Sequence, residues 1–259
     1  MNKGIHKTAI IDPNAGIEED VSIGPFCIVG GGVKLKKGTR LASNVILEGN
    51  VEIGEDCQIY PFASIGLSPQ DLKYKGESTG VRIGSNNIIR EYVTIHRASV
   101  GGDGITEIGD NNFLMAYVHV AHDCKIGSNV VMSNLATLAG HVVVEDYAVI
   151  GGIVAVHQFT RIGAYAMVGG FSGVGQDISP YMMASGPRAK LFGLNSIGLK
   201  RHGFSDSSIA ELKKAYKILF REKHTLKEAL KKVHKEFPNS KEIKTLVEFI
   251  EKNTRGICR

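Results

Sequence analysis

The stretch Val21-Ser-Ile-Gly-Pro-Phe-Cys-Ile-Val-Gly-Gly-Gly-Val-Lys-Leu-Lys-Lys-Gly-Thr-Arg-Leu41 decides the fold. Within it Ile23, Val29, Leu35 and Leu41 fall six residues apart. Toward the N-terminus the spacing continues through Ile17, Ile11 and Ile5, and toward the C-terminus through Leu47, Ile53, Ile59 and Ile65. It returns at Ile83, Ile89 and Ile95. After a slip of one residue it runs from Ile108 through Leu114, Val120, Ile126, Met132, Leu138, Val144, Ile150, Val156, Ile162, Val168 and Val174. A six-residue period fits neither the roughly 3.6 residues of a helical turn nor the strict alternation of a flat strand. It is the signature of a parallel β-helix built from hexapeptides.

Four residues after each aliphatic position stands a second, mostly small one, among them Ala9, Ala15, Cys27, Thr39, Cys57, Ala63, Cys124, Ala136 and Ala148. This suits a short strand that points one large residue inward and then turns a tight corner. Gly follows the aliphatic residue at Gly24, Gly54, Gly127 and Gly163, and Asn or Asp occurs nearby, residue types that tolerate turn conformations. Three sides close a coil of 18 residues, and 26 hexads make 26/3 ≈ 8.7 coils. Stacked at strand spacing of about 4.8 Å, they predict a rod roughly 40 Å tall.

The period ends near residue 189, and residues 190–259 form a separate, helical domain by pattern. From Ser205, the residues Ile209, Leu212, Ala215, Tyr216, Leu219 and Phe220 share a helical face. Thr225-Leu-Lys-Glu228 reads as a capping box, and Asn239-Ser-Lys-Glu242 as a second one opening a helix with Ile243, Leu246, Val247 and Ile250 inward. Charge divides the same way. Residues 190–259 carry 17 Lys and Arg against 8 Asp and Glu, whereas residues 1–189 carry 14 against 18. A basic face is most often a solvated one; no aromatic stacking platform or nucleic-acid motif supports nucleic acid, and an acidic protein partner fits equally well on charge alone.

No run approaches a membrane span, and Met1-Asn-Lys-Gly-Ile-His6 has no apolar signal segment, so the cytoplasm is the expected compartment. Of four Cys, Cys27, Cys57 and Cys124 occupy corner slots, and there is no CxxC pair, which argues against a disulfide framework or a Cys-based zinc site.

Two polar excursions interrupt the prism, at about residues 66–80 and 99–107. Long polar loops in so economical a fold point to function. Counting in eighteens puts His122, His141 and His157 on one face of successive coils. His96 joins them if the second excursion adds seven residues, since 95 to 120 is 18 + 7. Such a row suits zinc ligation, or general-base catalysis by one His with its neighbours binding a polar substrate. Asp123 follows His122 and is placed to orient its imidazole.

The strings Gln70-Asp71-Leu-Lys73-Tyr, Thr94-Ile-His96-Arg97, Ala121-His122-Asp123-Cys124, Ala139-Gly140-His141-Val, Ala155-Val-His157-Gln158-Phe and Gly198-Leu-Lys-Arg201 stand in one order. With the basic tail, they make the chain resemble the UDP-N-acetylglucosamine O-acyltransferases that begin lipid A synthesis. The resemblance covers nearly the whole chain. It implies a left-handed β-helix, a homotrimer with active sites between subunits, and transfer of a (3-hydroxy)acyl chain from acyl carrier protein to the sugar 3-hydroxyl. It implies His122 as base, Asp123 as its support and the Gly140 N–H as oxyanion donor. Gln70, Asp71, Lys73, His96, His119, His141, His157, Gln158 and Arg201 would hold the nucleotide sugar or the acyl-phosphopantetheine. His202 stands where the family often has a second Arg, which weakens one expected phosphate contact. Gly170 matches a position near the end of the acyl groove, where side-chain size helps set chain length, and bulky Phe171 beside it leaves that length open. A thioester is already activated, so no cofactor or metal is expected.

Four rivals are weighed against this. An acetyl-CoA-dependent hexapeptide acetyltransferase would not need a basic carrier platform or the Gln70–Lys73 loop. The N-acyltransferase of the same pathway carries an extra N-terminal domain, for which hexads beginning at Ile5 leave no room. A γ-type zinc carbonic anhydrase uses a His-x4-His string, whereas His119 and His122 are three apart. A plain scaffold gives no reason for a row of histidines beside two excursions.

Overall fold

A computed structural model describes residues 4–259; residues 1–3, the head of the segment without an apolar signal, lie outside it. Most strands are two residues long and end on the aliphatic residue of a hexad, as in Ser22–Ile23, Ile28–Val29 and Arg40–Leu41. They form three sheets of nine, eight and ten strands, parallel except for one terminal strand. Registry follows the period. Ile23 pairs with Leu41 and Leu41 with Ile59; Leu35 pairs with Ile53 and Ile53 with Ile83. Both excursions return in phase, with Ile65 against Ile95 and Ile95 against Val120. The coils wind left-handed. Their interior is the aliphatic column, with Leu35, Leu47, Ile53, Ile65, Leu114 and Met132 wholly buried. Each such side chain contributes about 1.5–3 kcal/mol relative to exposure.

The corners are made differently from the expectation. Gly24, Gly54, Gly127 and Gly163 do not have positive φ. They are glycine because the next coil leaves no room: a Cβ would lie 2.6 Å from the Ala42 carbonyl oxygen at Gly24 and 2.4 Å from the Pro180 nitrogen at Gly163. The left-handed residue sits two places further on. Asp20, Asn44, Asp56 and Asn86 take it as polar residues do, but so do Phe26, Phe62, Tyr92, Tyr147 and Tyr165. A left-handed L-residue costs about 1–2 kcal/mol. Stacking between coils offsets part of it: ring centroids are 5.0 Å apart for Phe62–Tyr92, 4.8 Å for Tyr92–Tyr117 and 4.7 Å for Tyr147–Tyr165.

The buried corner slots hold the small residues expected. The Cys27, Cys57 and Cys124 thiols each donate to a carbonyl of the adjoining coil, those of Ala42, Gly84 and Ala139. Burial pushes the Cys124 thiol up to about 12, which marks a packing residue. Two slots hold asparagine instead. Asn87 donates to the carbonyls of Gly84 and Gly109 and accepts from the Asn112 N–H, and Asn112 accepts from the Val130 N–H.

The prism has three edges. The histidine edge joins the nine-stranded to the eight-stranded sheet and carries left-handed Asp123, His141 and Phe159. The tyrosine edge, next in the winding, carries Tyr147, Tyr165 and Tyr181. The apolar edge carries Phe26, Phe62, Tyr92, Tyr117, Leu135, Ile153 and Phe171, all exposed.

The sheet does not stop at residue 189. The chain reverses after Ser185, and Lys190–Leu194 pairs antiparallel with Met182–Ser185, because a turn through Gly186, at φ 112, folds it back. Helix α1 (Ser196–Arg201) then precedes α2 (Asp206–Phe220), α3 (Leu226–Glu236) and α4 (Lys241–Glu251). The α3 capping box forms between Thr225 and Glu228. The second box does not: the N-cap of α4 is Ser240, one residue later than expected, which places Ile243 rather than Glu242 at the third helical position. The tail is anchored to the last coil. Buried Asp177 binds Arg161, whose guanidinium also donates to the Phe249 carbonyl, and Asp177 bridges to Ile257.

Candidate active site

Both excursions and the histidines share one edge. The first loop leaves after Ser64–Leu67 and returns at Gly80–Ile83; the second leaves after Thr94–His96 and returns at Ile105–Ile108. Each spans the step from the nine-stranded to the eight-stranded sheet. Arg97 pins the first loop at its root, donating to the Gly66 carbonyl at 2.9 Å, Ser68 Oγ at 2.8 Å and the Tyr74 hydroxyl at 3.0 Å. At the loop's tip Asp71 Oδ1 accepts the Lys73 N–H, and Gln70, Leu72 and Lys73 are exposed.

His122 lies at the centre. Its Nδ1 stands 2.8 Å from Asp123 Oδ2. Since the carboxylate only accepts, Nδ1 carries the proton and Nε2 presents a lone pair. His141 crosses His122 edge-on at 5.3 Å between centroids, with its Nε2 3.7 Å from the same carboxylate oxygen, and stacks on Phe159 at 4.5 Å. His96 and His119 cross at 5.1 Å on the adjoining strands, and Thr94 Oγ1 lies 2.7 Å from His119 Nδ1. Burial, and then the neighbouring His96 and His122, holds His119 down at about 4. Burial and His122 lower His96 likewise. These two rings are therefore neutral at pH 7.

Gly140 is buried beneath His122. A Cβ there would lie 2.5 Å from His122 Cε1 and 2.7 Å from Nε2. Among the described residues its N–H donates to no protein acceptor. The donor atoms of His122, Asp123 and His141 lie within 4.8 Å of one another, close enough to surround a metal ion.

The remaining expected residues do not join this cluster. His157, one coil on, is turned to the tail: its Nδ1 lies 2.9 Å from the Arg255 guanidinium and 3.1 Å from the Gln158 carbonyl. Gln158 is exposed beside it. Arg201 ends α1 and is exposed; His202 caps α1 and packs edge-on against Tyr147 and Tyr165, on the tyrosine edge. Gly170 and Phe171 are exposed on the apolar edge. So one chain gathers His96, His119, His122, Asp123, Gly140 and His141, while Arg201, His202, Gly170 and Phe171 stand on other edges. Ser99, Arg97 and Arg255 were not among the expected residues. Two of the three follow or sit inside the second excursion's root, but Arg255 lies 98 residues from His157, beyond any local pattern.

A left-handed hexapeptide prism with a paired histidine and carboxylate on one edge fits a hexapeptide-repeat acyltransferase. The profile described as bacterial transferase hexapeptide (six repeats) matches residues 105–140, and that of UDP N-acetylglucosamine O-acyltransferase, domain 2, matches residues 177–258. The acyl-[acyl-carrier-protein]–UDP-N-acetylglucosamine O-acyltransferase of Thermodesulfovibrio yellowstonii is 70% identical over all 259 residues and the whole of that protein. That of Syntrophobacter fumaroxidans is 47% identical, covering 98% of this chain and 99% of the relative. The crystal structure of LpxA from Acinetobacter baumannii, 43% identical, superposes with a TM-score of 0.97 over 98% of this chain and 99% of that one. The chain belongs to the acyl-[acyl-carrier-protein]–UDP-N-acetylglucosamine O-acyltransferase family.

Proposed function

We propose that this enzyme transfers a (3-hydroxy)acyl chain from acyl carrier protein to the 3-hydroxyl of UDP-N-acetylglucosamine, the first step of lipid A synthesis, with His122 as general base. The observation that carries the mechanism is the His122–Asp123 contact of 2.8 Å beside the free Gly140 N–H. His122 Nε2 takes the proton of the sugar hydroxyl as its oxygen attacks the thioester carbonyl. Asp123 stabilises the imidazolium that forms. The Gly140 N–H donates to the developing oxyanion, a role worth about 3–4 kcal/mol in acyl-transfer sites. Collapse expels the phosphopantetheine thiolate, which takes the proton back from His122.

The enzyme works as a homotrimer in this reading. The division of binding residues over three edges supports it, because a neighbouring prism can bring Arg201, His202, Gly170 and Phe171 to a site they do not reach in one chain. The exposed apolar edge from Phe26 to Phe171 supports it too, as a surface that a neighbour covers. The first loop, with Gln70, Asp71 and Lys73, and the residues His96, His119, His141, His157 and Gln158 hold the nucleotide sugar and the acyl-phosphopantetheine. The tail receives the acidic carrier protein: Lys227, Lys231, His234 and Lys235 of α3 line one cavity with Leu230 and with Glu251 of α4. No metal or cofactor is required. The thioester is already activated in this reading, and stoichiometric zinc needed for activity would overturn it. No helix among the described residues is long and apolar enough to cross a membrane, which accords with a cytoplasmic enzyme.

His122→Ala tests the base. The variant should fold as the wild type and lose turnover by at least the roughly 10²–10⁴-fold of general-base catalysis. Substantial residual turnover would assign the base elsewhere.

A further inference from the structure

We propose that Ser99 is a positioning residue: the second excursion exists in part to lock the Asp123 carboxylate through Ser99, and so to aim His122. This rests on His122 being the base. Ser99 is buried, at 3% exposure, and it bonds Asp123 twice. Its N–H donates to Oδ2 at 3.0 Å and its hydroxyl to the same oxygen at 2.7 Å. Oδ2 is also the atom that accepts from His122 Nδ1. Asp123 Oδ1 has no hydrogen-bond partner, so among the described residues Ser99 is the only group besides His122 that hydrogen-bonds the carboxylate.

The rotation of an aspartate carboxylate about its terminal bond is intrinsically loose. Three donors converging on one oxygen remove that freedom, and two of the three come from Ser99. The hydroxyl is itself oriented: the Gly101 N–H donates to Ser99 Oγ at 3.3 Å, which uses a lone pair and leaves the hydroxyl proton for Asp123. The rest of the loop is shaped to the carboxylate. A Cβ on Gly102 would lie 2.5 Å from Asp123 Oδ1, so only glycine passes there. Lys125, one strand beyond Asp123, forms an ion pair with Asp103 at the loop's tip. Thr106, where the loop re-enters the sheet, accepts the Asp123 N–H at 2.9 Å and seats its backbone. A loop serving only to fill space needs no pair of donors aimed at one atom.

The test is steady-state kinetics of Ser99→Ala, Ser99→Thr, Asp123→Asn, the Ser99→Ala/Asp123→Asn double variant and His122→Ala, each with a thermal melt. Ser99→Ala should lower kcat about tenfold with KM for both substrates within about twofold, as loss of a transition-state interaction does. Ser99→Thr keeps both donors and should restore kcat to within about twofold of wild type. In the Asp123→Asn background Ser99→Ala should cost nothing further, because its effect runs through that carboxylate. The proposal is overturned if Ser99→Ala keeps wild-type kcat, if its loss is additive with Asp123→Asn, or if Ser99→Thr fails alongside it with both melting early. A His122→Ala variant that still turns over removes the base reading itself. An inactive His122→Ala beside a fully active Ser99→Ala removes only the positioning role.

Discussion

Gly140→Ala is the sharpest perturbation the site offers, because it adds one carbon and changes no charge. Gly140 has no positive φ, so the backbone accepts alanine without conformational strain. The new Cβ, however, would stand 2.5 Å from His122 Cε1, 2.7 Å from Nε2 and 3.1 Å from Nδ1. Carbon contacts settle near 3.5–4.0 Å, so the ring must retreat by about 1 Å. It cannot retreat freely, since Nδ1 is held at 2.8 Å by Asp123 on one side and His141 crosses it on the other. A misplacement of about 1 Å in a catalytic group costs on the order of 100-fold, or about 2.7 kcal/mol of barrier. We expect kcat with acyl carrier protein thioester and UDP-N-acetylglucosamine to fall about 100-fold, with the KM values and melting temperature little changed. A Gly140→Ala enzyme within about threefold of wild-type kcat would refute the idea that His122 is held in a single catalytic position.

Reversing Lys227, Lys231 and Lys235 to Glu should raise the KM for acyl carrier protein about tenfold or more, an effect that salt diminishes, and leave nucleotide-sugar binding by calorimetry unchanged. Equal damage to both substrates would remove the docking role. Stability should fall as pH drops from about 6.5 to about 4. In that window the unfolded chain protonates at position 119 near 6.5, whereas folded His119 stays neutral until about 4, so acid favours the unfolded state. Thermal melts of wild type and His119→Gln at pH 7 and pH 4.5 check this. The wild type should lose a few degrees more than the variant, and parallel losses would refute it.

The prism was legible because one physical demand, an aliphatic residue in every strand, repeats along most of the chain. Ile23 to Leu41 was enough to set the coil, and the return of Ile83 and Ile95 in phase showed that the first loop was an addition. What the period hid was everything decided between coils. Phe62, Tyr92 and Tyr117 look like stray apolar residues until stacking explains why rings take a left-handed backbone. Asn87 and Asn112 look out of place in a core until the side-chain oxygen of each is seen accepting the N–H of the next coil, with the Asn87 amide also donating to two carbonyls. At the site, the histidine row and Asp123 could be placed by counting. The link from Ser99 to Asp123 could not, because the excursion has no period to count by. The Arg255 contact to His157 needed the tail's docking, which no local pattern encodes.

The antiparallel strand Lys190–Leu194 and the helices behind it bear on a hazard built into this architecture. Each coil is a template whose free N–H and C=O groups invite a further coil of the same register, from this chain or another. A winding of parallel turns has no intrinsic reason to stop. Here the chain reverses direction, changes secondary structure, and ties the new element down through Asp177, Arg161 and the Phe249 carbonyl. Before it meets any partner, the tail acts as a terminator, closing a lattice that would otherwise grow end to end.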